Sequence, residues 1–509
     1  MVDASLPPII QQMLQSAFYP HPTVEPIQLV QTHISYVLLT GEYAYKIKKP
    51  LDFGFLDYST LEKRRHFCQE ELQLNQRGAP QLYLEVLPIA QVGDRFQFGG
   101  EETAVEYAVK MRQFPQGMLL SQLFERGELT EALLMELAEV VAAYHLKADT
   151  NDYIRTFGEI TKIRPAFDQN YEQTEAYIGG PQTQTQFDLT KAYTDRFFAE
   201  QQALFAERTQ RNWIRACHGD LHLGNICLWQ DQLMLFDCIE FNEPFRFVDV
   251  MFDIAYIVMD LVVKHRTDLC AVFLNHYIEQ TGDWEGLQIL PLYVNRQSYV
   301  RGKVTSFMLG DPSVSLEEKA AAEQKAALYY KLAWDYVQPK AGRLILMSGL
   351  SGSGKSTTAR LLAKRIGAVH IRSDAVRKHL AGVPLDQPGD ADLYTPAMSQ
   401  KTYDRLLNLG ITLAKQGYSV ILDAKYDRQA NRHAAISQAQ AHNLPLQILH
   451  CTAPEDVMRA RLQHRTADIA DATVDVLAQQ TLDPFLELEQ PYVKTIDTIR
   501  DVAEQLTGV

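Results

Sequence analysis

From residue 36 to residue 48 the chain reads YVLLTGEYAYKIK. β-branched and aromatic residues lie on both sides of Thr40-Gly41, a pattern that predicts two strands joined by a turn. In STLEKRRHFCQEELQLNQR, which follows, Leu61, Phe67, Leu72 and Leu74 supply the apolar positions of a helix that Ser59 or Thr60 can cap. LYLEVLPIAQ and EYAVKMRQF predict further strands, and from LTEALLMELAEVVAAYHLKA to SLEEKAAAEQKAALYYKLAWDYV the pattern is helical. A strand-rich start giving way to helices predicts a small sheet-based lobe joined to a larger helical lobe.

QPKAG, residues 338–342, punctuates the chain with Pro and Gly. Beyond it the pattern changes. RLILMSGLSGSGKSTTARLLAKRIG is a short apolar strand, a Gly/Ser turn and an amphipathic helix, and YSVILDAKY and PLQILHCTA add two buried strands between helices. Alternating strand and helix implies a parallel sheet covered on both faces. The expected organisation is one domain over 1–337, a linker over 338–342 and a second domain over 343–509.

Composition narrows the function classes. At 509 residues the chain exceeds the length at which one core stops growing, so two or more domains are required. A net charge of −14 argues against a protein whose main task is to grip nucleic-acid phosphates. The six cysteines form no CxxC pair, which suits reduced thiols in a cytoplasm. The most apolar run, IAYIVMDLVV, is too short to span a membrane and contains Asp260, and MVDASLPPII has no signal-peptide pattern. A cytoplasmic protein without membrane partners is expected.

GLSGSGKS, residues 349–356, follows a strand and opens a helix, the context a phosphate-binding loop needs. Gly349, Gly352 and Gly354, with Ser351 and Ser353 between them, let backbone N–H groups turn inward around phosphate oxygens. Lys355 reaches the outer phosphates, the hydroxyl of Ser356 can hold Mg²⁺, and Thr357 continues the helix start. After the next strand, Asp374 in VHIRSDAVRKHL stands where open sheets place ligands, with Arg377 three residues on. Asp374 can accept a hydroxyl proton while Arg377 neutralises phosphoryl charge; alternatively Asp374 caps the helix behind it. Arg459, Arg461 and Arg465 share one helix, as a lid over phosphates or as a solvated face. Asp423, ending SVILD, either holds Mg²⁺ or positions the following loop. The loop, the D-x-x-R spacing and the R-x-x-x-R spacing together resemble the small P-loop kinases, including the polynucleotide-kinase and zeta-toxin-like groups with their AAA-type ATP-binding domains. That resemblance implies ATP binding and a hydroxyl acceptor.

Upstream, HGDLHLGNICLWQDQLMLFD places Asp220, Asn225 and Asp237 in an order that phosphoryl transfer can use. An aspartate lies near the incoming hydroxyl, and an amide and a second carboxylate hold metal on the nucleotide phosphates. This stretch resembles the aminoglycoside-phosphotransferase-like kinases, relatives of protein kinases. By that resemblance Asp220 is the catalytic base, Asn225 and Asp237 bind Mg²⁺, and Asp253 buttresses the catalytic loop; His218 is read as a loop brace and His222 has no assigned role. An N-lobe lysine paired to a helix glutamate is also implied: Lys46 with Glu70, the alternatives being Lys48 and Glu71. VKMRQFPQGMLL reads as the hinge, with the backbone around Lys110–Arg112 meeting adenine. The DFG triplet at 52–54 precedes the catalytic loop and is taken as a coincidental loop sequence.

The expected fold class is thus two-domain: an α+β bilobal protein-kinase-like N-terminal domain and an α/β P-loop NTPase C-terminal domain with a parallel sheet. The expected function is a tandem ATP- and Mg²⁺-dependent phosphotransferase acting on small-molecule hydroxyls. The alternatives are one active module beside an ATP-binding regulator, or a C-terminal module that phosphorylates 5′-hydroxyl polynucleotide ends or nucleotide sugars.

Overall fold

The computed structural model describes residues 6–464, 469–470 and 473–509. The chain forms two compact units. The first takes residues up to Leu129 together with Ala143–Ala166 and Gln201–Asp260; the second takes Thr130–Ala142, Phe167–Glu200 and Leu261–Val509.

In the first unit, β1 (Gln28–Gln31), β2 (Ser35–Leu39), β3 (Tyr43–Lys48), β4 (Tyr83–Val92), β5 (Arg95–Phe98) and β6 (Ala104–Arg112) form one sheet in the order β1-β2-β3-β6-β4-β5. The β2–β3 hairpin turns at Thr40-Gly41 as the pattern requires, and Gly41 takes a φ of +107°. A helix, α1 (Leu61–Asn75), links β3 to β4; its N-cap is Thr60, whose side chain accepts from the Lys63 N–H at 3.3 Å. Leu38, Tyr45, Ile47, Ile89 and Ala108 form the apolar core beneath the sheet. Next come β7 (Ile214–Ala216), the hairpin of β8 (Ile226–Trp229) and β9 (Gln232–Leu235), β10 (Phe247–Asp249) and the start of α2 (Val250–Val263). Sheet, bridging helix and hairpin make this the protein-kinase-like part. The DFG triplet at 52–54 sits in the turn after β3, where Asp52 accepts from the Gly54 N–H at 2.8 Å.

The second unit holds a five-stranded, fully parallel sheet. Its strands are β11 (Arg343–Ser348), β12 (Val369–Arg372), β13 (Ser419–Asp423), β14 (Leu446–Thr452) and β15 (Val493–Asp497), in the order β12-β13-β11-β14-β15. Ile345, Met347, Ile421, Leu449 and Ile496 bury one face against Leu362 and Ala363 of the helix that follows the glycine loop. This is a P-loop NTPase fold. The unit also contains α3 (Thr267–Thr281), α4 (Leu290–Gly310) and α5 (Leu316–Tyr336). The expected linker, 338–342, therefore lies inside the second unit. Side chains and backbone groups tie this helical segment to the sheet domain: the Tyr418 hydroxyl donates to the Leu287 carbonyl at 2.8 Å, and a His379 ring nitrogen lies 2.8 Å from the Glu279 carbonyl.

Candidate active sites

In the first unit the loop that carries Asp220 and Asn225 is built on a buried carboxylate. Asp253, fully buried on α2, accepts from the backbone N–H groups of His218 and Gly219, both at 2.8 Å, and from the His145 ring at 3.1 Å. Gly219 has a φ of +87°, and a Cβ there would stand 2.7 Å from the Phe245 carbonyl oxygen, so the loop requires glycine. His218 is buried with its Nε2 2.8 Å from the Phe236 carbonyl, which fits the loop brace expected of it. The loop presents Asp220 partly exposed. The amide nitrogen of Asn225 lies 3.0 Å from the Asp220 carbonyl and 3.4 Å from its Oδ2. His222, left without a role by the sequence, accepts from the Gly224 N–H through Nδ1 at 3.0 Å and turns Nε2 to within 3.5 Å of Asp220 Oδ2.

Lys46 lies between two carboxylates, 2.7 Å from Glu71 Oε1 and 2.7 Å from Asp237 Oδ1. Burial disfavours the Lys46 ammonium, but Asp237 and Glu71 outweigh it and hold its pKa well above the ordinary value. Partial desolvation inside the cleft works against the Asp237 carboxylate, although its side chain keeps 47% exposure, and the Lys46 charge reverses that to leave its pKa lowered. The glutamate that meets Lys46 is Glu71, fully buried, and not Glu70, which the helix turns to a partly exposed position. Lys48 is not an alternative to Lys46 but an addition: its Nζ meets Glu71 Oε2 at 2.6 Å, Tyr58 Oη at 3.3 Å and Glu240. The two lysines alternate on one strand face and each takes one oxygen of Glu71. Of the expected hinge, Lys110–Arg112 forms the end of β6, paired throughout with β3 and, through Lys110 and Met111 across a register shift, with β4.

In the second unit a cleft of about 1020 Å³ opens at the carboxyl ends of the strands. Gly349, Gly352 and Gly354 all have positive φ, and a Cβ on Gly349 or Gly352 would stand 2.5 Å from the Cys451 carbonyl or 2.6 Å from that of Met458. Ser351, Lys355, Ser356, Thr357, Asp374 and Asp423 line the cleft. Ser353 is buried, with its hydroxyl unpartnered among the described residues. Asp423 ends β13 beside β11. Burial would raise its pKa, but hydrogen bonds from His370 and Ser356 and the charge of Arg372 bring it down to about 2. Burial lowers the pKa of Lys355, whose Nζ donates to the Leu350 carbonyl at 2.7 Å.

Asp374 lies in the first turn of Ser373–Ala381, whose N-cap, Arg372, makes no side-chain capping bond. Arg377 is buried; it donates to the Leu393 carbonyl at 3.0 Å and to Ser399 Oγ at 3.3 Å, which anchors the wall of the cleft. Arg461 donates to the Gly352 carbonyl and to both oxygens of Thr498, while Arg465 lies outside the described residues. Arg459 pairs with Glu455 on its own helix.

Both sites offer hard oxygen donors suited to Mg²⁺: the Asn225 amide with the Asp237 carboxylate, and the Ser356 hydroxyl with the Asp423 carboxylate. Each brings together a lysine, an aspartate and oxygen donors, the types of group that phosphoryl transfer uses.

Residues 344–483 match the AAA domain family model. Over 467 residues, 90% of this chain and 90% of the other, the sequence is 32% identical to an uncharacterized protein of Mycobacterium tuberculosis, and equally to one of Mycobacterium bovis. The chain belongs to the family of these mycobacterial proteins. Among solved structures, a choline/ethanolamine kinase family protein from Mesorhizobium loti is 10% identical, with a TM-score of 0.37, over 63% of this chain and 96% of its own. An APS kinase from Mycobacterium tuberculosis, solved with AMPPNP and APS, is 20% identical, with a TM-score of 0.26, over 33% of this chain and 94% of its own.

In this member of the family, reasoning from sequence missed Glu240 and Tyr58, which complete the Lys48 cluster, and Gln480. The side chain of Gln480 accepts from the Ser351 N–H at 2.9 Å and donates to Ser351 Oγ at 2.9 Å. Among these, the i, i+2 spacing of Lys46 and Lys48 was the available signal; Glu240 stands three residues past Asp237, and Gln480 belongs to no motif.

Proposed function

We propose that the chain is a tandem phosphotransferase that transfers the γ-phosphoryl group of ATP to hydroxyls of small molecules at two separate sites. The observation that carries this reading is completeness. In the first unit Lys46 bridges Glu71 and Asp237 beside a catalytic loop bearing Asp220 and Asn225; in the second, Lys355, Ser356, Asp423 and Asp374 line one cleft.

At the first site Lys46 orients the nucleotide phosphates, and Asp220 accepts the proton of the acceptor hydroxyl as its oxygen bonds to the γ-phosphorus. The bond from that phosphorus to the β–γ bridging oxygen breaks, and ADP leaves. At the second site Asp374 takes the same part, Lys355 reaches the outer phosphates, and the glycine loop supplies backbone N–H groups. Asn225 with Asp237, and Ser356 with Asp423, would hold Mg²⁺, which when bound neutralises charge on the phosphate oxygens. Metabolites with a free hydroxyl in a cytoplasmic setting are the acceptor class we assign.

A second reading, with the P-loop half as an ATP-binding regulator, is favoured by two observations: the Ser351 N–H already bonds Gln480, and Lys355 bonds a loop carbonyl. ADP release by wild type, Asp220→Asn and Asp374→Asn, each against a panel of sugars, amino alcohols, aminoglycosides, nucleosides and 5′-hydroxyl oligonucleotides, tests both. If each substitution removes a different acceptor-dependent activity, the tandem reading holds. If Asp374→Asn alters no activity, the regulator reading replaces it for that half.

A further inference from the structure

The Asp423 carboxylate of the second site is held from behind by a chain of contacts that begins on a helix far outside the P-loop sequence. His370, on β12 and 6% exposed, places Nε2 3.0 Å from Asp423 Oδ2. An ionised carboxylate only accepts hydrogen bonds, so the ring proton belongs on Nε2. Asp423 also takes a hydrogen bond from Ser356, the hydroxyl proposed to share the cation.

His370 is fixed in turn by its backbone. β12 is the edge strand of the sheet, and its outward-facing groups have no strand neighbour. Asn275, on α3, fills that gap: its Oδ1 accepts from the His370 N–H at 2.8 Å and its Nδ2 donates to the Ala368 carbonyl at 2.9 Å. A carboxamide carries one acceptor and a donor in the geometry of a peptide unit, so this side chain acts as one more rung of the sheet. One turn further along α3, Glu279 lies 3.6 Å from Arg372, two residues beyond His370 on the same strand. The helix thus grips β12 on both sides of His370, and His370 aims Asp423 at the mouth of the glycine loop.

We propose that His370 and Asn275 are positioning residues for the cation-holding pair Asp423 and Ser356. By this arrangement a helix preceding the P-loop segment sets how tightly that site holds its metal–nucleotide complex. The proposal rests on the reading of Ser356 and Asp423 as cation ligands.

The test is binding of a fluorescent ATP analogue to the full chain, titrated with Mg²⁺. The component that Lys355→Ala abolishes belongs to the P-loop site. His370→Ala is expected to raise the Mg²⁺ concentration needed to tighten that component by about tenfold or more, with binding in the absence of Mg²⁺ unchanged. His370→Gln, whose Nε2 can donate to Asp423 at similar reach, recovers most of the effect, and Asn275→Ala shifts the titration in the same direction. If wild type responds to Mg²⁺ and both alanine variants titrate with it, the positioning role is wrong while the cation site stands. If the variants weaken binding equally with and without Mg²⁺, the two residues serve the fold alone, which also overturns the proposal. If the wild-type component ignores Mg²⁺, the cation reading fails and takes the proposal with it.

Discussion

Lys46 and Lys48 stand two residues apart, both pair with Glu71, and replacing them is expected to do opposite things. Lys48 is 1% exposed and holds Glu71, Glu240 and the Tyr58 hydroxyl together. Burial pulls its ammonium toward neutrality, yet Glu240 and Glu71 raise its pKa well above the ordinary value, so the cluster contains a true buried cation. Lys48→Ala leaves Glu240 without that cation and Glu71 with only Lys46. Breaking a buried pair by removing one partner costs about 3–5 kcal/mol, because the remaining charge stays desolvated. For a unit of this size each kcal/mol moves the midpoint by about 2–4 °C, so the drop should be about 6–20 °C.

Lys46→Ala differs because Glu71 keeps Lys48, and the other partner, Asp237, has a side chain 47% exposed and can be solvated. It should melt within a few degrees of wild type while losing activity at the first site. Scanning calorimetry of the full chain reads both. A Lys48→Ala midpoint within about 2 °C of wild type, or a Lys46→Ala midpoint that falls as far as that of Lys48→Ala, refutes the assignment.

Three further outcomes follow from the same geometry. Glu71→Gln should cut acceptor-dependent ADP release at the first site by about 100-fold, as expected for loss of a preorganised charged group, whereas Glu70→Gln should stay near wild type; steady-state kinetics decide, and equal losses would remove Glu71 from its place. The Asp423 pKa of about 2 lies below the ordinary 3.8, so the fold favours its charged form. Its stabilising contribution is then complete above about pH 4 and fades as the pH falls toward 2, so urea midpoints of wild type and Asp423→Asn should differ near neutrality and converge across that range. All six cysteines are buried and free, and burial pushes their thiols upward, Cys68 to about 12 and Cys238 to about 11. A thiol reagent at pH 8 should label none in the native protein and all of them in urea, and fast native labelling of any one contradicts the packing.

The parts of the site that read clearly in the sequence are those whose chemistry depends on local spacing. The glycine loop needs its residues in fixed order after a strand, and the catalytic loop needs Asp220 five residues before Asn225, so both sites were visible. Choices that depend on tertiary packing were not. Which of Glu70 and Glu71 faces the sheet depends on how α1 rotates against β3, and the period-2 alternation that left Lys46 and Lys48 equivalent turned out to place both on Glu71. The pattern marks β6 as a strand without saying that most of it pairs on both sides.

The segment 338–342 shows the same limit at the scale of domains. Pro and Gly there mark a genuine break in helical pattern, yet the unit that contains the P-loop sheet also takes Thr130–Ala142, Phe167–Glu200 and everything from Leu261 on. The reason is the edge of the sheet. β12 leaves its outer backbone groups open at Ala368 and His370, and Asn275 closes them. Cutting at the visible boundary would uncover that edge together with the surface under α3, and an exposed edge strand beside apolar residues invites pairing with another chain. Residues 343–509 produced alone should therefore self-associate more than the full chain does, as read by light scattering at matched concentration. Monodisperse behaviour of the shorter piece would show that α3 is dispensable to the sheet. In the full chain Asn275→Ala keeps the edge covered but unpaired, which should cost about 1–3 kcal/mol, the penalty of a buried donor and acceptor left without partners.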